Sequence, residues 1–471
     1  MSNEHRSVHY YFIGIGGDGM SGLAQILLEQ GARVSGSNIE ENSKTEELRC
    51  RGVRVHIGHW ADHLADGADV DMVVVSSAIR EDNIELVEAR SLGIPILKRL
   101  EMLAQLMKSH RSIGITGTHG KTTTTTMASM LLEHGGFDPT FLIGGESDEL
   151  GGNAKLGAGE YLVAEVDESD GYFLTLEPYT VVVTNIDRDH LNHYRDERAL
   201  RRSFTHFIEK VPDDGRAILC YDDSYIREII RKLSRPYLSF GIVGNGDRHG
   251  EADLVAEEIR RDRLETWFRF SFRGETYGEV KLPIPGRHNV YNALAAMLVG
   301  WEVGMSFAEM AAILENFAPP QRRFQLLNQT NGRIVVDDYA HLPAEIEANL
   351  EAIREGWKGV RLIAIFQPHR FTRTQYINGR FGSSFDLADT VIVTDIYPAF
   401  EDPIPGINAS IIVNSIAAHG HDRVHYIPDQ VEIFDYLKQH SQSGDFIISF
   451  GAGDIWKVTQ QFANHLKHAR T

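Results

Sequence analysis

Cysteine is scarce in this chain of 471 residues: Cys50 and Cys220 are the only two. So few, so far apart, exclude a disulfide framework and a CxxC zinc site, and they suit a reducing compartment. No apolar run approaches the roughly 18 residues that a membrane-spanning helix needs. The opening Met-Ser-Asn-Glu-His-Arg lacks the apolar stretch of a secretory signal, so the expected location is cytoplasmic. Basic residues are also in deficit. Lys and Arg number 47 against 66 Asp and Glu, which gives a formal net charge of −19. A surface that acidic disfavours non-specific binding to nucleic acid or to an anionic membrane, and neither is an expected partner. An anionic substrate would need local cations working against the overall field. Low-complexity sequence is absent apart from the run Thr122–Thr126, and no short-period repeat is present.

What is present is an ordinary globular composition on a chain long enough for about three domains. Each third opens with an apolar run and then a Gly-rich or charged turn. The first third has candidate strands at Val8–Ile15, Arg33–Gly36, Met72–Ser76 and Ile94–Leu97, separated by helical stretches. It ends near Lys108. The second has strands at Ile113–Thr116, Tyr161–Val166, Thr180–Asn185 and Ala217–Cys220, with a helix reaching about His134. From about Pro236 to Pro285 short alternating runs, such as Thr266–Phe270, and a polar loop at Gly244–Gly250 predict appended antiparallel strands. A helix from about His288 to Val303 follows, and Phe317–Gln321, with its paired prolines, reads as a linker. The last third repeats the pattern at Ile334–Asp337, Leu362–Phe366, Val391–Thr394, Val424–Ile427 and Phe446–Phe450. Strands alternating with helices predict parallel sheets. The expected fold class is therefore α/β, as three tandem α/β domains over residues 1–108, 109–320 and 321–471.

The first glycine turn, Gly14-Ile15-Gly16-Gly17-Asp18-Gly19, satisfies GxGxxG directly after a strand. Such a turn brings backbone N–H groups close to a phosphate at a helix N-terminus. A dinucleotide site also wants an acidic residue about 20 positions on, where Gly36-Ser37-Asn38 offers an amide. A dinucleotide, another pyrophosphate ligand and a purely structural turn all remain open from this motif alone. The second turn, Gly114 to Thr123, is more specific. A Walker A loop would place glycine at position 115, which is Ile115, yet the Gly117-Thr118-His119-Gly120-Lys121-Thr122-Thr123 run keeps the chemistry. Glycine amides cradle phosphates, Lys121 reaches the terminal phosphate oxygens and Thr122 can ligate Mg²⁺, which predicts an ATP site. Acidic clusters end two following strands, at Glu165–Asp170 and at Asp187–His190, and supply candidate metal ligands. Two more clusters, Asp337–His341 and Gln367–Arg373, end strands in the last third. His369-Arg370 with Arg373 has the makings of an anion clamp, since guanidinium forks bind carboxylate or phosphate bidentately; a basic surface turn is the plain alternative.

Taken in order, Gly14–Gly22, Gly117–Thr123, Glu165–Asp170, His288–Asn292, Arg322–Phe324, Asp337–His341 and Pro368–Thr374 resemble the Mur ligases over nearly the whole chain. The resemblance implies a Rossmann-like N-terminal domain for a UDP-sugar, a central P-loop-like ATPase and a Rossmann-like C-terminal domain for an amino acid. It implies ATP and Mg²⁺ as cofactors and small-molecule substrates, UDP-N-acetylmuramate and L-alanine, joined through an acyl phosphate. A rival within the family adds a preformed tripeptide to the same sugar nucleotide. By position, Gly16, Gly17, Met20, Ser37 and Ser76 would contact the UDP-sugar. Gly117, Thr118, His119, Gly120, Lys121, Thr122 and Thr123, with Asn289, Asn292, Arg323 and Asp338, would surround ATP. Thr122, Glu165 and His190 would hold metal. His341, His369, Arg370 and Arg373 would face the reacting carboxylate and the amino acid. Three positions depart from the family's usual pattern: Asp18 for a small residue, Asn38 for Asp, and Leu342 for a second His. A nicotinamide-dependent oxidoreductase would leave the second turn unused, and an ATP-gated binding protein would use it without turnover.

Overall fold

A computed structural model describes residues 7–65, 69–189, 191–244, 252–377 and 379–468. The first sheet is built from β1 (His9–Ile13), β2 (Arg33–Asn38), β3 (Arg54–Ile57), β4 (Met72–Val75) and β5 (Ile96–Lys98). Their order is β3-β2-β1-β4-β5, with every pairing parallel. The order reverses between β1 and β4, the place where open α/β sheets leave a crevice for ligands. Strand Met-Val-Val-Val of β4 is buried among Tyr11, Ile13, Leu86 and Ala89, as a central parallel strand covered on both faces should be.

The second sheet contains β6 (Arg111–Thr116), β7 (Thr140–Ser147), β8 (Gly152–Lys155), β9 (Tyr161–Glu165), β10 (Thr180–Val183), β11 (Arg216–Cys220), β12 (Tyr237–Ile242), β13 (Leu254–Asp262), β14 (Glu265–Phe272) and β15 (Glu275–Leu282). They run in the order β15-β14-β13-β12-β11-β10-β6-β9-β7-β8. The expected antiparallel region needs correction at its start. β12 pairs parallel with β11, and β13 parallel with β12. β14 and β15 each follow the neighbouring strand after a two-residue turn, a connection that requires the chain to reverse direction. Alternation reports half-burial and says nothing of strand direction, so the sequence could not separate the two cases. Residues 245–250 of the polar loop lie outside the described residues. The hairpin of β7 and β8 had no clear periodicity and was not anticipated.

The third sheet holds β16 (Gln325–Thr330), β17 (Arg333–Asp338), β18 (Arg361–Phe366), β19 (Thr390–Val393), β20 (Val424–Tyr426) and β21 (Asp445–Phe450), ordered β16-β17-β21-β18-β19-β20. All pairings are parallel except β16 with β17. Alternate residues enter two cores: Val336, Leu362, Ala364, Phe366 and Ile448 face one side, and Val335, Ile363, Ile365 and Ile447 the other. The chain divides into two compact units, Met1–Glu257 with Phe270–Gly278 and Tyr291–Leu314, and Glu258–Arg269 with Glu279–Val290 and Glu315–Thr471. Among the described residues no helix is long and apolar enough to cross a membrane.

Candidate active site

In the first unit, β6 is buried through Thr116 and leads through the second glycine turn into the helix Lys121–His134. The turn needs its glycines. A Cβ on Gly117 (φ +131) would lie 2.2 Å from Thr184 Oγ1, and one on Gly120 (φ +81) 2.3 Å from Asn292 Oδ1. The end of β10 holds the turn from the side. Asn185 Oδ1 accepts from His119 N at 2.9 Å, and Asn185 Nδ2 donates to His119 O at 2.9 Å. Thr184 Oγ1 donates to the same carbonyl, and Thr118 Oγ1 accepts from Asp187 N. The buried threonine run that follows satisfies its hydroxyls inside the helix, with Thr125 donating to Lys121 O and Thr126 to Thr122 O.

Lys121 is folded into this cradle. Its Nζ donates to Gly117 O at 2.6 Å and lies 3.0 Å from both carboxylate oxygens of Glu168. Burial opposes its charge, but the Glu168, Asp167 and Glu165 carboxylates hold the ammonium above its ordinary pKa. Burial pushes the Glu168 carboxyl up to about 7 against the pull of Lys121. Glu168 stood unassigned within its acidic cluster, because the 47-residue separation from Lys121 conceals the pair. Glu165 occupies a different spot, accepting from Gly144 N at 2.8 Å. Thr122 approaches the neighbouring Gly145, 3.4 Å from where a Cβ would sit. His190 lies outside the described residues. Among the described residues no three His, Cys, Asp or Glu side chains converge as a metal cage. Glu165 presents a carboxylate and Thr122 carries a hydroxyl, hard oxygen donors of the kind Mg²⁺ takes, although the contact of Thr122 with β7 is through its methyl.

The first glycine turn lies in the same unit and is held more tightly than a free phosphate cradle. Gly14 N and Ile15 N both donate to Ser37 O at 2.9 Å. Gly16 N donates to Asn38 Oδ1 at 3.1 Å, and Asn42 Nδ2 donates to Gly16 O at 3.1 Å. Asn38 also donates to Glu40 O, which an aspartate could not do, and this gives the departure at position 38 a physical sense. Gly17 caps the helix Asp18–Glu29, Met20 is buried, and Ser76 sits half-buried at the end of β4. Ser37 is fully buried, its hydroxyl donating at 2.5 Å to Glu85, a carboxylate that also receives Tyr11, His59 and His63. Ser37 therefore acts on the turn through its carbonyl. Asp18 O accepts from Asn153 Nδ2 at 2.7 Å. A cation, Arg99, stands beside this turn. Its Nη1 lies 2.7 Å from a Cβ position on Gly19, and its Nη2 3.4 Å from Asp167 Oδ2, so it bridges the surroundings of both turns. Nothing in the sequence near Arg99 signals that role.

In the second unit Arg322 and Arg323, just before β16, and Arg370 and Arg373, after β18, form a cationic cluster with the loops after β17 and β21. Arg322, in the left-handed region at φ +62, donates through Nε to Asp337 at 3.1 Å and through Nη1 to Gly453 O at 3.0 Å. Arg322 and Arg323 each lie 5.0 Å from the Tyr339 ring centroid, and His341 meets that ring edge-on at 5.7 Å. Asp338 accepts from Phe324 N at 2.6 Å, Ala340 N at 2.8 Å and Asn349 Nδ2 at 3.2 Å. Its carboxylate is thus committed to shaping the loop, and burial pushes its carboxyl up to about 6. His369 stacks on Tyr397, tilts against His341 at 5.9 Å, and accepts from Arg373 Nη1 at 3.0 Å. Burial, with His341 and the arginines, drives its imidazole down to about 2, so it stays neutral with its proton on Nε2. Arg370, at φ +71, buries an Nε without a hydrogen-bond partner. Leu342 is core, which explains its apolar identity. Asn289 donates to Pro285 O within its own segment, whereas Asn292 accepts from Thr124 in the first unit.

Three family models match in tandem: the Mur ligase family catalytic domain over residues 9–111, the Mur ligase middle domain over 115–300, and the Mur ligase glutamate ligase domain over 322–453. A UDP-N-acetylmuramate–L-alanine ligase of Pelotomaculum thermopropionicum is 46% identical over 98% of each chain. Among solved structures, the UDP-N-acetylmuramate–alanine ligase of Thermotoga maritima superposes with a TM-score of 0.83 at 30% identity, covering 98% of this chain and 99% of that one. A murein peptide ligase of Psychrobacter arcticus, with the same coverage, gives 0.72 at 25% identity. With the glycine turns, the Lys121–Glu168 pair and the arginine cluster all in place, the chain belongs to the Mur ligase family.

Proposed function

We infer that this protein is an ATP-dependent ligase that joins L-alanine to the carboxylate of UDP-N-acetylmuramate in peptidoglycan precursor synthesis. The observation that carries the reading is full-length identity of 46% to an alanine-adding ligase, over a chain that keeps the cationic cluster of Arg322, Arg323, Arg370 and Arg373. The tripeptide-adding alternative is less favoured, because its structural relative is more distant in both identity and superposition. On this reading residues 1–108 bind the UDP-sugar, 109–320 bind ATP and 321–471 bind the amino acid. The reaction then belongs in the cytoplasm, where both nucleotides are available.

The chemistry needs two displacements. An oxygen of the sugar's carboxylate attacks the γ-phosphorus, the bond to ADP breaks, and an acyl phosphate forms. The amine of alanine then attacks the acyl carbon, and inorganic phosphate leaves with the amine losing a proton. Lys121 is assigned to the transferring phosphoryl group, exchanging its Gly117 carbonyl and Glu168 partners for phosphate oxygens. The turn of Gly117, Thr118, His119, Gly120, Thr122 and Thr123 positions the phosphates, and Asn292 braces it through Thr124. Asn289, Arg323 and the loop shaped by Asp338 are assigned to the adenine nucleotide. Thr122 and Glu165, with His190, are assigned to Mg²⁺, which when bound neutralises phosphate charge. Arg370 and Arg373 are the fork for the amino acid's carboxylate, while His369 and His341 line the reacting carbonyl. Gly16, Gly17, Met20, Ser37 and Ser76 form the sugar-nucleotide end, with Arg99 added as its cation.

The test is phosphate release from ATP with UDP-N-acetylmuramate, run across all twenty amino acids. Alanine should give the highest rate, with glycine and serine weaker. Turnover with L-Ala-γ-D-Glu-diaminopimelate and none with free alanine would move the assignment to the tripeptide-adding branch.

A further inference from the structure

Four loops leave the carboxyl edge of adjacent parallel strands in the third sheet, and three of them, with the segment before β16, make up the cluster just described. The fourth, which follows β19, is joined to that cluster at two points. Tyr397 N donates to Pro368 O and Arg370 N to Tyr397 O, both at 2.8 Å, and the Tyr397 ring stacks on His369 with an interplanar angle of 9°. Further on, Glu401 accepts from Thr372 N at 3.0 Å and from Thr372 Oγ1 at 2.6 Å. Between these anchors Pro398–Glu401 close a turn, with Glu401 N donating to Pro398 O at 3.0 Å. Both central residues have positive φ, Ala399 at +48 and Phe400 at +68. That pattern favours Asn or Gly, and a bulky aromatic residue there is an outlier. Strain of this kind collects where function requires it.

Phe400 does not repay the strain by building core. It is 73% exposed and takes no part in the buried cluster beneath. Among the described residues its ring makes no ring–ring or cation–ring contact. The other rings at this edge are committed. Tyr339 lies against two guanidinium groups and His341, and His369 lies between Tyr397 and His341. The cluster can take a carboxylate through its guanidinium groups, its rings pack on one another or on those groups, and the exposed Phe400 ring adds apolar surface beside it. We propose that Phe400 is a specificity-determining residue, whose ring forms the wall against the side chain of the incoming amino acid and limits its size. The adjoining carboxylates of Glu401 and Asp402 would disfavour acidic side chains at the same wall. This rests on the assignment of Arg370 and Arg373 to the amino acid.

The test compares the parent with Phe400→Asn, which suits positive φ and removes the ring, and with Phe400→Tyr, which keeps it. Thermal midpoints and kinetics are measured for alanine, glycine, serine, L-2-aminobutyrate, valine and glutamate. For Phe400→Asn the midpoint should hold or rise, the KM for alanine should rise about tenfold with kcat within about twofold, and the preference for alanine over L-2-aminobutyrate should fall about tenfold. Phe400→Tyr should match the parent. An unchanged amino-acid profile in Phe400→Asn overturns the proposal whatever its midpoint. So does a fall in midpoint with all substrates losing rate in parallel, which would make Phe400 structural. A parent that uses none of these amino acids fails the underlying assignment, and the Phe400 proposal with it. A parent that uses alanine, beside an unchanged variant profile, fails the Phe400 proposal alone.

Discussion

The two glycine turns of the first unit use one device for holding a peptide group and differ in how they hold charge. In the second turn one side chain, Asn185, meets both the N–H and the C=O of His119, with Thr184 Oγ1 donating to the same carbonyl. In the first turn two side chains share the work, Asn38 at the Gly16 N–H and Asn42 at its C=O. The second turn carries its cation within itself, as Lys121, and buries it against Glu168. The first has an acidic Asp18 in the turn and borrows Arg99 from the end of β5. A buried, local charge pair gives strong discrimination and a large penalty when broken. A cation borrowed across the fold gives a weaker, more distributed hold. On the proposed function, the second turn would serve the chemical step and the first would serve binding alone.

The largest effect should follow Lys121→Ala, which ought to lower turnover on the order of 10³-fold with folding retained. The variant leaves Glu168 buried without its cation. Its carboxyl, already pushed up to about 7 by burial, should rise further and take up a proton. A carboxyl whose folded pKa exceeds its unfolded value stabilises the fold at low pH, and that contribution is lost as pH climbs through the folded value. Thermal midpoints of the variant should therefore fall more steeply than the parent's between about pH 6 and 8. A variant keeping a tenth of parental turnover would put the chemistry elsewhere.

Asn185→Asp comes next. It keeps the acceptor for His119 N but sets a carboxylate oxygen against the His119 carbonyl, beside phosphates that repel it. A cost of about 1–3 kcal/mol predicts roughly ten- to hundredfold lower kcat/KM for ATP, with the KM for the UDP-sugar unchanged. Equal loss for both substrates would mean that the turns are not independent.

How far the sequence reached depends on the range of each contact. The second turn was legible because its glycines, lysine and threonines are contiguous, and the central strands because buried parallel strands are unbroken apolar runs. Arg99 lay in no motif, and Glu168 and Arg322 lay inside motifs without a part of their own. The partners of Glu168, Arg99 and Arg322, namely Lys121, Asp167 and Gly453, lie 47, 68 and 131 positions away, and no local pattern marks such pairs. Edge strands β3, β8 and β16 were missed for a related reason. With one neighbour only, they tolerate charged and polar residues that erase the alternation. Asp338 shows what a motif leaves out: its carboxylate accepts from Phe324 N and Ala340 N and so shapes the loop from within, contacts that no local pattern announces.

Arg99→Ala should have a smaller effect than either change in the second turn. Its guanidinium is a charged partner at the rim of the first turn, worth about 1.5 kcal/mol, so the KM for the UDP-sugar should rise about tenfold with kcat preserved. Added salt should narrow the gap between parent and variant, since screening weakens a distributed charge more than a buried one. A loss of kcat equal to the rise in KM would place Arg99 in the chemical step and erase the division between the turns.

The smallest effect is expected from Asn38→Asp, which restores the residue more usual at this position in the family. The carboxylate still accepts from Gly16 N, so the turn keeps its principal tie. What is lost is the donor to Glu40 O, and Glu40 is exposed enough for water to replace it. The added charge lies near Asp18 and the expected pyrophosphate, which sets the direction: weaker binding of the UDP-sugar. Because the turn is also held by Asn42 and by Ser37 O, the change should cost no more than about 1 kcal/mol, a KM increase of a few fold. The corresponding change in the second turn, Asn185→Asp, leaves Thr184 on the His119 carbonyl but sets a carboxylate against that carbonyl and the phosphates, and should cost several times more in kcat/KM. Measuring both variants side by side, each against its own substrate, tests the comparison directly. If Asn38→Asp proved the more damaging of the two, the first turn would be the more finely held, and the assignment of chemistry to one turn and binding to the other would have to be redrawn.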